Sequence, residues 1–230
     1  MVARRTLIRF TLWGTACYVV AMVATVPASV VLKNRPWRTG IAGTIWNGEV
    51  GIAGGTRAAW DWAPLRSLAN LGFAADWQAT GTDTDLGGRA LLSAGGWTVD
   101  QVSGTARFGL IAAAAQALPF QCDMVMRIDW DRLSTGGSAA ASGLIVTEPG
   151  QCWAKATPGT STTVPALRIT AEQVGGQSVI RVAPQAQQRR TLIEAKLAGD
   201  GRLAVTMTPD GAADLPFLGI PAGVTIQKQL

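Results

Sequence analysis

The last third of the chain repeats one pattern: a short run of alternating apolar and polar residues, then a turn. In RLAVTMT, residues 202 to 208, Leu203, Val205 and Met207 face one way, and Arg202, Thr206 and Thr208 the other. That two-residue period belongs to a strand with one dry face. ALRIT (166 to 170) and SVIRV (178 to 182) read similarly, and TLIEAKL (191 to 197) sets Ile193, Ala195 and Leu197 against Glu194 and Lys196. Gly175-Gly176, Pro184 and Gly199-Asp200-Gly201 stand between them and are turn formers. Strands recurring roughly every 11 residues predict an antiparallel meander.

The same texture recurs upstream in GRALLSA (88 to 94), GTARFGL (104 to 110) and SGLIVTE (142 to 148). Only two segments past residue 40 predict helix. PLRSLANL (64 to 71) starts on proline and puts Leu65, Leu68 and Leu71 on one face. LIAAAAQAL (110 to 118) is alanine-rich and stops before Pro119. DRLSTGGSAAA (131 to 141) reads as a loop. With 27 glycines the chain is unsuited to a helical bundle. The expected fold is all-β: a Gly-rich, mainly antiparallel curved sheet or sandwich with one or two short helices.

Ahead of this lies a charge-free run, FTLWGTACYVVAMVATVPASVVL, residues 10 to 32. As one helix it would extend about 35 Å, enough to cross a bilayer core. Val26-Pro27-Ala28 resembles a signal cleavage site, but the apolar run is longer than a signal peptide's and continues past it. The reading is therefore an uncleaved transmembrane helix. Residues 1–9 form a short cytoplasmic tail, 33–42 a linker and 43–230 a β-rich domain outside the cytoplasm. Residues 1 to 38 carry Arg4, Arg5, Arg9, Lys33, Arg35 and Arg38 and no acid. The remainder has 20 − 6 = 14 basic residues against all 15 acids, a formal charge of −1. The basic excess thus suits membrane headgroups, and a nucleic-acid partner is not expected.

Catalytic chemistry is hard to place. With no histidine, Ser-His-Asp and Cys-His arrangements and His-based metal sites are excluded. Gly81-Thr82-Asp83-Thr84-Asp85 lacks the spacing of a calcium loop and reads as a solvated turn. Asp129-Trp130-Asp131 offers two carboxylates of the kind glycoside hydrolysis uses, but such alternation more often marks one wet strand face. No cofactor is expected. Cys17 lies in the apolar segment as a small apolar residue. Cys122 and Cys152 are the other two cysteines. In an oxidising compartment they pair; otherwise they remain buried thiols. TRAAWDW (56 to 62) puts Ala58, Trp60 and Trp62 on one face, either a core face or an apolar groove for a partner strand or a lipid chain.

An apolar helix ending in ATVPASVV (24 to 31), then GTIWNGEV (43 to 50), then WDWAPLRSL (60 to 68), resembles protein N of the bacterial type II secretion system. That family has a Gly-Thr-Leu-Trp-Asn-Gly element just after its membrane span. Here Gly43, Thr44, Trp46, Asn47 and Gly48 match it, with Ile45 for leucine. The resemblance implies a single-pass inner-membrane protein whose bulk is a periplasmic β-rich domain. It would be a non-enzymatic accessory component that contacts other secretion-system envelope proteins. The family has no established active site to carry over. It also implies that Gly43 and Gly48 bound a short first strand, that Trp46 anchors that strand in the core, and that Asn47-Gly48 makes a hairpin turn. A second reading, from a different class, is an AsmA-like lipid-handling envelope protein with an apolar β-groove. A groove lined with apolar residues throughout would favour the lipid reading, and a closed sandwich with polar faces the scaffold.

Overall fold

A computed structural model describes residues 2–32, 38–52, 54–114, 118–156 and 159–229. Helix α1, Val2–Ala24, leads into the four-residue α2, Ala28–Val31. Six strands follow: β1 Arg38–Gly43, β2 Asn47–Ile52, β3 Thr56–Trp62, β4 Phe73–Gly81, β5 Thr84–Ser93 and β6 Gly96–Arg107, with α3, Pro64–Ala69, between β3 and β4. Next come α4, Phe108–Ala114, β7 Phe120–Asp123, β8 Val125–Ser134, β9 Ala140–Thr147, β10 Gly150–Ala154 and β11 Thr162–Val164. The chain continues through β12 Leu167–Val174, β13 Gln177–Pro184, β14 Ile193–Ala198 and β15 Arg202–Met207. It then forms α5, Pro209–Asp214, a 3₁₀ turn at Pro216–Leu218, and β16 Thr225–Gln229.

Thirteen of these strands form one antiparallel meander in the order β1-β2-β3-β4-β5-β6-β8-β9-β12-β13-β14-β15-β16. The mostly-β, antiparallel expectation holds, and the predicted C-terminal strands match β12 to β15 to within one or two residues at their ends, except that β12 runs on to Val174. The order skips β7, β10 and β11 because the chain leaves the sheet twice, after β6 and after β9. The two excursions pair with each other as a small sheet, β11-β10-β7. Glycine and proline positions gave no hint of this side layer.

Pairing register puts apolar residues on one face of nearly every strand. Val50 lies opposite Ala58, Ala79 opposite Leu86, Ile128 opposite Ile145, Ile180 opposite Ala195, and Val205 opposite Ile226. The other face carries exposed ion pairs such as Arg57–Glu49 and Lys196–Glu194. The sheet curls toward its apolar face. β9 touches β14 although they are three places apart, which a flat sheet would separate by about 14 Å. Ala139 N–H donates to the Gly199 carbonyl (3.0 Å), and Ala141 N–H to the wholly buried Ser178 hydroxyl (2.7 Å). Alanines at 139, 141 and 171 make that approach possible and bury there with Leu197. Farther along, α4 lays Phe108, Leu110 and Ile111 over Leu86, Val102 and Met126. The small sheet and α5 close a third cluster around Leu192, Val164 and Leu215.

Four expectations need correction. The 10–32 run is not one helix: α1 stops at Ala24, because Pro27 disfavours helical backbone at Val26 and lacks the N–H that would continue the ladder. The charge-free part of α1, residues 10 to 24, is about 22 Å long at 1.5 Å per residue. Among the described residues no helix is long and apolar enough to cross a membrane. The linker is shorter than 33–42: residues 38–42 already belong to β1, while 33–37 lie outside the described residues. The stretch 131–141 is mostly strand, because β8 runs to Ser134 and β9 begins at Ala140. Finally, GTARFGL is strand only to Arg107, where α4 takes over.

Candidate functional site

The motif GTIWNGE forms a joint between the N-terminal helix and the sheet. β1 and β2 are connected by Thr44, Ile45 and Trp46, with Gly43 opposite Gly48 as the last pair. Gly43 has φ +83, which a side chain would disfavour, and a Cβ there would come within 2.5 Å of the Asn47 carbonyl oxygen. The Thr44 hydroxyl accepts from the Trp46 and Asn47 N–H groups (3.3 and 3.2 Å), and Thr44 N–H donates to the Asn47 carbonyl (2.8 Å). Asn47 and Gly48 are therefore not the turn. They open β2, opposite Asp61 and Trp60, and Asn47 Nδ2 donates to Asp61 Oδ1 at 2.8 Å. An Asn-Gly pair favours a two-residue turn locally, but the three-residue connection built on Thr44 displaces it.

This turn satisfies the end of the helix. The last carbonyls of a helix lack intrahelical donors. Here the Trp46 indole N–H donates to the Val23 carbonyl at 2.9 Å, and Ile45 N–H to the Val26 carbonyl at 3.0 Å. Pro27 forms an antiparallel bridge with Thr44. From the sheet side, Trp60 Nε1 donates to the Ile45 carbonyl (3.1 Å) and Trp62 N–H to the Trp46 carbonyl (2.7 Å). The Trp46 ring lies 4.6 Å from that of Trp62 and 6.1 Å from Phe73. Trp46 is thus half-buried in a turn and does not fill the sheet's core. Trp62 Nε1 in turn donates to Ser67 Oγ on α3 (2.8 Å).

Trp46→Ala removes the indole donor and two ring contacts from a half-buried site. We expect a loss of about 1–3 kcal/mol, below the 3–5 typical of a fully buried tryptophan. Trp46→Phe keeps the rings in contact but not the N–H, and should recover about half. Urea titration measures both, and amide exchange in the last turn of α1 should accelerate in both variants.

Trp60 takes part in a second pattern. Its ring lies over Gly48 on the neighbouring strand, where a Cβ would meet Trp60 Cζ2 at 2.5 Å. Trp77 lies over Gly88 in the same way, with a Cβ 3.1 Å from its Cζ2, and Trp130 over Gly143, 2.9 Å from its Cδ2. Three cross-strand pairs each set a large ring on a glycine. This joins two oddities of composition, many glycines and nine tryptophans, in one device that paves the concave face. Seeing it requires strand register, which one sequence does not provide.

The other candidates are dispersed. Asp129 and Asp131 are exposed on β8, and Asp131 is the extra residue of a bulge between Trp130 and Arg132. They open onto a shallow depression shared with Arg168 and Glu172. Asp83 sits in the β4–β5 hairpin and pairs with Arg107, whose guanidinium it raises above its ordinary value by hydrogen bonding and charge. The Asp200 carboxyl is held below its usual range, chiefly by the backbone N–H of Arg202. Among the described residues no three His, Cys, Asp or Glu side chains gather as a metal site would require. Cys122 and Cys152 are bridged, opposite each other on β7 and β10 with Cα atoms 4.1 Å apart. Cys17 is a free, exposed thiol on α1.

Fold and joint together define a class: an open, coiled antiparallel sheet with an N-terminal helix locked to its first hairpin. No protein-family model, curated protein or solved structure matches the chain.

Proposed function

We propose that the chain is a non-enzymatic accessory of bacterial type II secretion, of the protein N kind, anchored in the inner membrane by α1 with its sheet in the periplasm. The observation behind this reading is the joint. Of the residues that resemble the family element, Thr44 and Trp46 join directly to the end of the helix, together with Ile45, while Gly43, Asn47 and Gly48 shape the turn that carries them. In α1, Leu12, Trp13, Tyr18, Val20 and Val23 are all exposed, as suits a helix whose surroundings are lipid. The short charge-free stretch is accommodated by local thinning of the bilayer. Partner contact uses the open edge at β16, which among the described residues pairs with β15 alone and exposes all five of its residues. An added strand could hydrogen-bond along it.

A photoreactive amino acid at Gln227 tests the partner. Adducts with another secretion-system envelope protein are expected, together with secreted enzymes retained in the periplasm when the chain is deleted. Normal secretion after deletion would sink the reading.

One observation favours the AsmA-like alternative. The main sheet is one curled layer whose apolar face is only partly covered, by α4, α5 and the small sheet, and not one half of a closed sandwich with polar faces. Native mass spectrometry of the purified protein discriminates: stoichiometric bound phospholipid supports the lipid reading, and a lipid-free mass supports the scaffold.

A further inference from the structure

Helix α3 is packed the wrong way round for a surface helix. It buries Ser67, whose hydroxyl donates to the Ala63 carbonyl (2.9 Å) and accepts from Ala74 N–H (2.9 Å) and the Trp62 indole (2.8 Å). The leucine face points outward: Leu65 is 81%, Leu68 72% and, just past the helix, Leu71 90% exposed. Scattered exposed leucines are ordinary, whereas a patch of large apolar side chains marks a contact surface.

The patch continues onto the β5–β6 hairpin. Phe73 pairs with Leu92 and Leu92 with Trp97, and Leu92 and Trp97 are exposed. Charge is sparse at the tip itself. Residues 62–75, 90–99 and 133–140 border this end of the sheet and contain a single charged residue, Arg66, while Asp76, Arg89, Asp100 and Arg132 follow one residue farther along the strands. The Arg66 guanidinium is turned aside to Asp76, 2.7 Å away. The opposite end, by contrast, carries Asp83, Arg107 and Asp123 as an ion-paired group.

We propose that this end of the sheet, α3 with Leu71 and the β5–β6 hairpin with Leu92 and Trp97, seats in the interfacial layer of a lipid bilayer beside the point where α1 enters it. The occupant is lipid because α1 emerges at the same end. Trp46 at the helix terminus packs on Trp62 and Phe73, and Trp62 is bonded to α3. With about 22 Å of charge-free helix against a hydrocarbon core of about 30 Å, α1 has no slack to hold the joint away from the surface. The end of the sheet is drawn down into the headgroups, and its outward leucines and tryptophan are side chains suited to that depth. The inference rests on α1 being membrane-inserted, and its test separates the two ideas.

In full-length protein carrying Cys17→Ala, with the Cys122–Cys152 bridge intact, a single cysteine is placed at Leu68→Cys, Val20→Cys or Gln78→Cys and labelled with the fluorophore NBD. The protein is reconstituted into phosphatidylcholine–phosphatidylglycerol vesicles with or without nitroxide-labelled lipid. The expected result is a blue-shifted NBD at position 68, quenched several-fold by the lipid nitroxide and protected from aqueous iodide. The label at 20 should be quenched too, and the label at 78, on the outer face, should not. Quenching at 20 without quenching at 68 overturns the seat and leaves the anchor standing. Quenching at 68 without quenching at 20 removes the anchor and with it the proposed seat, because the seat is placed by α1. A label at 68 shielded from both lipid nitroxide and iodide would place a protein there, and the lipid proposal fails.

Discussion

Replacing Cys122 and Cys152 together by alanine is expected to lower the unfolding free energy by about 3–4 kcal/mol. The bridge spans a sequence separation of 30, and the chain-entropy account of closing such a loop gives a figure of that size. Position makes the effect local as well. Cys122 lies on one excursion from the main sheet and Cys152 on the other. Apart from β-pairing, their bridge is the covalent tie between two segments that leave the sheet at different points. Cys152 is fully buried, with its sulfur 3.9 Å from that of Met124. Alanine is the better substitute, since serine would bury a hydroxyl there. Urea unfolding of the variant, and of the native chain with and without reductant, measures the loss. Amide exchange should rise first in β7, β10 and β11. A loss below about 1 kcal/mol would show that pairing and the Leu192 cluster hold the small sheet unaided.

Gly143→Ala is expected to cost about 2–5 kcal/mol, combining backbone strain with overpacking. Gly143 has φ +145, a region that side-chain-bearing residues avoid. A Cβ there would lie 2.6 Å from Trp130 Cα and 2.9 Å from the Asp129 carbonyl oxygen, both main-chain atoms of the paired strand. Neither can swing aside. Gly88→Ala is the control, because its φ is not positive and its nearest neighbours are side chains, Val102 Cγ2 at 3.0 Å and Trp77 Cζ2 at 3.1 Å. That variant should lose less than half as much. Equal losses at the two positions would mean that ring-over-glycine contact matters and backbone geometry does not. Thermal melts of the two variants beside the native chain decide this.

The period-two runs determined the strands of the C-terminal third, because alternation of Leu203, Val205 and Met207 has only one dry face to offer. They also determined that the C-terminal strands are antiparallel, since connections of two to eight residues are too short for a parallel crossover. Pro27 was visible too, but the weight of 23 uncharged residues concealed its effect on the helix. The paired half-cystines were open to two readings until β7 and β10 were seen side by side. The Asn-Gly turn failed for a different reason. Local preference favours that dipeptide, but the hydrogen bonds of Thr44 and the demands of the helix end at Val23 and Val26 outweigh it.

Three features were decided by tertiary structure alone. The ring-over-glycine pairs need Trp60, Trp77 and Trp130 in register with residues 12, 11 and 13 positions away in the sequence. The curl that brings β9 to β14 depends on Ala139, Ala141 and Ala171 on one side and on Gly199 and Ser178, which accept the alanine N–H groups, on the other. The outward leucines of α3 depend on Ser67 finding three polar partners beneath the helix. Periodicity says which residues share a face, and it did so correctly for Leu65 and Leu68. Whether that face meets protein or its surroundings is settled by what the rest of the chain places beneath it.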